Sequence, residues 1–461
     1  MNMIEKISFL VSGKIVQPIL YYGLNRYKKL HWAEFYRFRE WKALDENLLI
    51  QRQLLAETLR TSVSEVPYYQ KIYLDLGRPE INPENAVEVL KKFPILDKSI
   101  LRNNHNDLKN PYVNSFIKNT SGGSTGEPVI FLQSDDYIDH APTLYTDGLA
   151  GFTLGFKTIY LWGSENEILQ ISSGLRRKIG NILLRRTYLN TFLVKATDMD
   201  RFIQIINKAK PDIIIAYVQS AYDLAQHIKR NNLKIYSPKS IILSAGTLFP
   251  DHRNLIEEVF LTKTYNRYGS REVGHIAMEC DHQAGLHLTI FNNYIEILDS
   301  TGKDVQAGQE GEVIVTQFHN RVMPLIRYRI GDRAVKQEKS CVCGRGIPVI
   351  GHVTGRTVNI FTTRNGSKVD GEYFTHLFYF VENVQKFQVI QETYERIIIN
   401  IQTLNHKPLQ PSVEQDITRK IKKVMGENCM VIFKYYDELY PTKSGKFLYT
   451  ISLVSDGYNN T

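Results

Sequence analysis

Ile213-Ile214-Ile215-Ala216-Tyr217, entered from Lys210-Pro211, is a run of apolar residues without a charge. A half-buried strand alternates apolar and polar positions, whereas a continuous apolar run of this length fits a strand buried on both faces. Working outward, Ile159-Tyr160-Leu161-Trp162, closed by Gly163, and Ile241-Ile242-Leu243-Ser244 read the same way. One helical run ends at Lys210 and another covers about Ala221–Asn231. Apolar strands alternating with helices predict a parallel sheet covered on both faces. Further out, residues 1–110 read as largely helical. Apolar residues fall at helical spacing from Glu46 to Ser64, with breaks at Pro67-Tyr68-Tyr69 and Pro94. Beyond about residue 285 the chain turns β-rich: Tyr294–Leu298 leads into a turn at Asp299–Gly302, and Glu312–Val315 alternates. The last hundred residues hold a strand at Arg396–Gln402, a helix at Ser412–Met425 and a strand at Met430–Tyr435. The expected fold class is α/β. A large N-terminal domain comprises a helical region, 1–110, and a core of parallel sheets and helices, 111–355. A small mobile α+β domain, 356–461, follows. The sequence has no internal repeat and no low-complexity segment.

At 461 residues and 43% hydrophobic, the chain can bury a large core without disulfides. Its four cysteines, Cys280, Cys341, Cys343 and Cys429, are too sparse for a secreted disulfide framework and suit a reducing, cytoplasmic setting. No stretch reaches the ~18 apolar residues of a spanning helix. Ile4 to Leu24 comes nearest, but Lys6, Lys14 and Pro18 interrupt it, which leaves open only an interfacial helix, at the inner membrane surface. The net charge is +9, with clusters at Arg176-Arg177-Lys178 and Arg185-Arg186. These read as solvated surface, or as an attraction for nucleotides or acidic membrane.

The segment Asn119-Thr120-Ser121-Gly122-Gly123-Ser124-Thr125-Gly126-Glu127-Pro128 precedes the strand-like Val129-Ile130-Phe131. Small and hydroxyl residues let backbone N–H groups approach a phosphate closely. The segment lacks the lysine of the Gly-x4-Gly-Lys-Ser/Thr phosphate loop. Gly122–Gly126 also fits the Gly-x-Ser-x-Gly elbow of hydrolases, and a plain Gly/Ser turn explains the composition equally well. Four other segments stand out: Tyr268-Gly269-Ser270-Arg271-Glu272 after Thr264-Tyr265-Asn266; Arg327-Tyr328-Arg329-Ile330-Gly331-Asp332; Gly355-Arg356; and Pro441-Thr442-Lys443-Ser444-Gly445-Lys446.

In order and separation these segments resemble the adenylate-forming superfamily of acyl-CoA ligases, adenylation domains and luciferases. The likeness is closest to phenylacetate–CoA ligases and the related CapK-type proteins of capsular polysaccharide biosynthesis, over about residues 60–450. The resemblance implies that Ser121, Gly122, Gly123, Ser124, Thr125 and Gly126 hold the β- and γ-phosphates of ATP. It further implies that Ser244-Ala245-Gly246-Thr247 and Tyr268-Gly269-Ser270 border the adenine, and that Glu272 binds Mg²⁺. Asp332 takes the ribose hydroxyls, Arg356 lies near the ribose and the domain junction, and Lys446 bridges the substrate carboxylate and the α-phosphate. A carboxylate attacking an α-phosphate gathers negative charge at one centre, so placed cations and N–H donors are the main need. Thr125, Glu272 and Lys446 are therefore the catalytic candidates. Two departures stand out: Thr357-Val358-Asn359 replaces the usual acidic hinge, leaving Asn359 as its counterpart, and Arg271 is bulkier than its usual counterpart.

Cys280, His287, Cys341 and Cys343 form a possible Zn²⁺ set, three thiolates and an imidazole. Similar Cys and His positions occur in some phenylacetate–CoA ligase relatives, where the metal is structural. His275 and His282 are rival ligands, and buried free thiols are the alternative. His140, His227, His252, His319 and His376 stand in no motif. The leading functional expectation is ATP-dependent activation of a small carboxylic acid with transfer to CoA. Direct transfer of the acyl group to an amine or hydroxyl of a glycan precursor is the second. A serine hydrolase using Ser124 leaves Tyr328–Asp332 and Lys446 unexplained. A zinc-dependent nucleic-acid-binding protein would need a basic stripe or aromatic platform that the sequence lacks.

Overall fold

The computed structural model describes residues 7, 10–23, 27–120, 129–162, 175–191, 196–356, 360–365, 368–378, 381, 383–440 and 447–454. They form two compact units, 1–354 and 355–461.

The first unit begins with helices at Gln17–Gly23, Tyr27–Arg39, Leu44–Glu65, Pro67–Asp75, Ala86–Lys92 and Lys98–Asn103. The break expected at Pro67 is real, but Pro67 itself opens a helix. Val66 is extended, and a proline at the first helical position costs no intrahelical hydrogen bond. The strands follow as β1 (Phe116–Thr120), β2 (Ile130–Ser134), β3 (Thr158–Trp162), β4 (Arg186–Asn190), β5 (Ile213–Tyr217), β6 (Ser240–Ser244), β7 (Thr264–Ser270), β8 (Gly274–Glu279), β9 (Leu286–Leu288), β10 (Asn293–Leu298), β11 (Glu310–Gln317), β12 (Tyr328–Lys336) and β13 (Val349–Arg356). β1 and β2 make a two-stranded antiparallel sheet. The others form one eleven-stranded sheet in the order β10-β11-β12-β13-β9-β8-β7-β6-β5-β3-β4.

The sheet is parallel from β4 through β3, β5 and β6 to β7. Antiparallel pairing starts at β7–β8. In β5 the residues alternate between two cores, as the two-residue period of a strand requires. Ile213 and Ile215 join a core shared with Leu55 and Leu59 of the N-terminal helices. Ile214 and Ala216 join another, shared with Ile206, Leu224 and Ile256 of the helices Ala196–Ala209, Val218–Arg230 and Pro250–Phe260. Both faces of β5 are thus buried, which is why it carries no polar residue.

The second unit holds β14 (Ile360–Thr362), β15 (Lys368–Asp370), β16 (Val384–Thr393), β17 (Arg396–Thr403), β18 (Met430–Tyr435) and β19 (Thr450–Ser452). Its four-stranded sheet runs β18-β17-β16-β19. Ile417 and Ile421 of the helix Pro411–Met425 pack with Ile397, Ile399 and Ile401 of β17.

Candidate active site

The parallel strands end in the segments singled out for the nucleotide. At the end of β6 the Ser244 hydroxyl donates to the Arg267 carbonyl of β7 at 3.1 Å, tying the two strand ends together. Ala245 then takes a positive φ of 62°, and Gly246 lies against Val218. In β7, Gly269 is obligatory: a Cβ there would sit 2.4 Å from the Gly274 carbonyl oxygen. The β7–β8 pairing shifts register beside it, between Tyr268 and Gly269. The Ser270 hydroxyl accepts from the Val273 N–H at 3.3 Å and closes the turn that carries Arg271 and Glu272. Gln133 donates to the Arg271 carbonyl and Gln317 to the Glu272 carbonyl, so two amide side chains fix that turn from outside it.

Asp332 arrives from the other half of the sheet. Opposite β11, the four-residue step from Arg329 to Arg333 meets a two-residue step from Ile314 to Glu312, a bulge holding Ile330, Gly331 and Asp332. Gly331 sits at φ 88°, where other residues are strained. Three strands separate β12 from β7 in the sheet order, yet the Tyr268 hydroxyl donates to Asp332 Oδ2 at 3.0 Å. The sheet twist thus joins two segments recognised separately in the sequence. Glu272 is buried near Tyr137; burial foremost, then the Glu272 charge, raises that phenol. Its carboxylate oxygens are the hard donors that Mg²⁺ takes.

Arg327, at the head of the same motif, is a structural residue. Its guanidinium makes a bidentate pair with Glu296, at 3.1 and 3.0 Å, and donates to the Lys91 and Phe93 carbonyls. Both partners are buried, so loss of either strands a charge. Arg267, next to Tyr268, likewise pairs with buried Asp147 at 2.8 Å. Burial raises the Asp147 carboxyl, and Arg267 opposes that shift without cancelling it.

Ser121, Gly122, Gly123, Ser124, Thr125 and Gly126 lie outside the described residues, as do Thr357-Val358-Asn359, Lys443 and Lys446. Arg356 ends β13.

Cys280 follows β8, His287 lies in β9, and Cys341 and Cys343 stand in the loop between β12 and β13. One ligand atom from each falls within 4.8 Å of all the others. Cys280 Sγ is 3.7 Å from Cys341 Sγ, and Cys343 Sγ is 3.5 Å from His287 Nε2. A tetrahedron with ordinary Zn–S and Zn–N bonds has edges of about 3.8 and about 3.6 Å, so the donors fit that ion. They are too far apart for disulfides. Burial pushes the Cys280 thiol up to about 12 and the His287 imidazole down to about 4. Burial also opposes ionisation of Cys343, but hydrogen bonds from Arg345 outweigh it and hold that thiol below its usual range. The rival ligands are engaged elsewhere: His275 Nδ1 is 2.7 Å from the Thr146 hydroxyl, and His282 faces Asp281. Arg345 pairs with Glu40, and Asn47 donates to the Gly346 carbonyl, so the cysteine loop is pinned to the N-terminal helices.

Residues 361–453 match the family model of the CapK C-terminal domain. Protein CapK of Staphylococcus aureus is 24% identical over 96% of this chain and 95% of its own length. The phenylacetate–coenzyme A ligase of Thermus thermophilus is 22% identical over 74% of this chain and 77% of its own. Among solved structures, 2-hydroxyisobutyryl-CoA ligase in the postadenylation state superposes with a TM-score of 0.69 at 16% identity, covering 90% of this chain and 91% of that one. The fold is that of the adenylate-forming ligases. Within that fold class the chain is similar to CapK along nearly its whole length and to phenylacetate–CoA ligases over about three quarters of it.

Proposed function

We propose that this protein activates a carboxylic acid with ATP, releasing pyrophosphate, and passes the acyl group from the adenylate to CoA. It is an AMP-forming acid ligase. A carboxylate oxygen attacks the α-phosphorus as the bond to pyrophosphate breaks; the acceptor then attacks the acyl carbonyl and AMP leaves. The observation that carries the reading is the Tyr268–Asp332 hydrogen bond on two bulged strands, beside the Ser244–Gly246 turn. A carboxylate with two acceptor oxygens suits vicinal ribose hydroxyls, and Tyr268 holds it in place. Ser121–Gly126, with the Ser124 and Thr125 hydroxyls, cradles the β- and γ-phosphates. Glu272 holds Mg²⁺, which offsets the charge of the leaving pyrophosphate. Lys446 supplies the cation between carboxylate and α-phosphate, and Arg356 serves the ribose side. Zn²⁺ in the Cys280, His287, Cys341 and Cys343 set is structural, because the set is closed and buried against the fold. The enzyme works in the cytoplasm, in the synthesis of a capsular or extracellular polysaccharide. The CapK-type likeness along nearly the whole chain supports that setting. The departures at Thr357-Val358-Asn359 and Arg271 favour, as the second reading, an amine or hydroxyl of a glycan precursor as direct acceptor.

The test is acid-dependent exchange of labelled pyrophosphate into ATP over a panel of acids, followed by product analysis with and without CoA. Exchange with at least one acid, lost in Asp332→Ala while that variant still folds, is the expected result. Exchange unchanged in Asp332→Ala rejects the ribose assignment. A product made at the same rate without CoA moves the acceptor to the second reading.

A further inference from the structure

The N-terminal helical segment is amphipathic the wrong way round for a surface helix of a soluble protein. Ser12 and Gln17 are buried. Gln17 accepts from the Gly155 N–H at 2.9 Å and donates to the Ser12 hydroxyl and the Leu184 carbonyl. Gly13 abuts Leu154 so closely that a Cβ would lie 2.3 Å from its carbonyl oxygen. The polar and small residues therefore face the fold. On the other side, Ile7, Leu10, Val11, Ile15 and Ile19 are 43% to 62% exposed. An ordinary surface helix puts its charged residues there and its apolar stripe inward.

Leu184, the residue that Gln17 grips, directly follows the helix Leu175–Leu183. That helix exposes Ile179, Ile182 and Leu183, with Ile182 74% exposed. Two helices with apolar outer residues are thus joined at one hydrogen bond. Their charges are of one sign. Lys14 is exposed between Val11 and Ile15. Arg176, Arg177 and Lys178 belong to the sequence of the second helix; Arg185 and Arg186, just after it, are engaged by the fold, Arg185 donating to the Gly155 carbonyl and Arg186 lying near buried Asp147. Neither 10–23 nor 175–190 contains an aspartate or glutamate.

We propose that these two helices form a monotopic docking surface for a bilayer rich in anionic phospholipid. The isoleucines enter the acyl boundary, and Lys14 together with the basic run in the sequence of the second helix supplies the charge that draws the surface to anionic headgroups. No helix among the described residues is long and apolar enough to cross a membrane, and the proposed mode is that of an interfacial helix lying in the headgroup plane. A second copy of the chain is the poorer occupant, because a two-fold contact would set two basic surfaces against each other. The inference stands independently of the acid-ligase reading.

The test uses the full chain with two vesicle types, pure phosphatidylcholine and a phosphatidylcholine–phosphatidylglycerol mixture of about 3:1, whose negative surface attracts basic segments. Co-sedimentation should be at least roughly tenfold stronger with the anionic vesicles and weaken with salt. The double variant Ile15→Glu/Ile182→Glu should lose it, and Leu261→Glu, an exposed leucine elsewhere, should keep it. Thermal melts establish that the variants fold; should the double variant fail to, Lys14→Glu alone should still weaken anionic binding. Wild-type protein that pellets with neither vesicle, or a folded double variant that pellets as well as wild type, overturns the proposal. So does a dimer in gel filtration that the double variant dissociates, since the occupant is then a second copy.

Discussion

The edge proposed for the nucleotide and the Cys–His cluster are both assembled from segments far apart in sequence, but their side chains are used differently. At the cluster the four ligand atoms point at one another, and the loop carrying two of them is fastened to Glu40 and Asn47. At the other, Ser244, Gln133, Gln317 and Ser270 satisfy backbone groups around the turns, while the Tyr268 hydroxyl reaches Asp332 from across the sheet. The donor set of the cluster is closed on itself, which is what a structural role proposed for it requires. At the edge the amide and hydroxyl side chains fix the backbone of the turns, and the ligand role proposed for Asp332 rests on that fixed scaffold.

The largest expected effect belongs to the cluster. Purified without chelators, the protein should hold about one Zn²⁺ per chain. Cys341→Ser, or metal removal under mild denaturation, should cost several kcal/mol and lower Tm by on the order of 10 °C. Adenylation by the remaining folded fraction should change much less. Elemental analysis that finds no metal would break the comparison at once.

Next comes Lys446. Lys446→Ala should slow adenylation by roughly 10²-fold or more, about 2.7 kcal/mol at the transition state. ATP binding should survive, and a supplied acyl adenylate should still react with the acceptor. Wild-type adenylation in Lys446→Ala, with loss in Lys443→Ala, would shift the assignment to the neighbouring lysine.

Those regions differed in legibility for physical reasons. β5 was plain because burial on both faces removes every polar residue from it. β4 was not: Arg186-Thr187-Tyr188-Leu189-Asn190 lies at the sheet edge, buries only Leu189 fully and has no apolar run. The bulge at Ile330–Asp332 was marked by its glycine, but nothing in Arg327 itself tells that it pairs with Glu296 in the core rather than with a ligand. The supports Gln133 and Gln317 were illegible for the same reason. A lone amide has no pattern, and its role depends on which carbonyl the fold brings to it. Tyr268 and Asp332 were each singled out, yet only the twist of the sheet reveals that they touch.

A smaller effect, at a residue of neither region, tests whether acid loss of stability is being mistaken for loss of either site. His252 is buried beneath Tyr222, and burial lowers its imidazole to about 4 from the usual 6.5. The unfolded chain therefore takes up a proton below about pH 6.5 that the folded chain refuses until about pH 4. Stability is lost as pH falls through that window, by about 1.4 kcal/mol at pH 5.5 from this group alone. His252→Phe should flatten that part of the denaturant-midpoint profile. An unchanged profile would remove His252 as a cause.

The smallest expected effect sharpens the comparison most. Tyr268→Phe deletes one oxygen atom and keeps the ring that lies buried in the large core. If Tyr268 were only structural, the loss would appear in the melt and leave ATP affinity in the folded protein alone. If it orients Asp332, the carboxylate gains freedom that ATP must remove on binding. The dissociation constant for ATP·Mg should then rise by about three- to tenfold, the size of one typical hydrogen bond net of its solvation. The effect should also vanish in the Asp332→Ala background, because the carboxylate that the hydroxyl orients is gone. A double-mutant cycle on ATP binding separates the two cases: a coupling near 1 kcal/mol supports orientation, and strictly additive losses refute it.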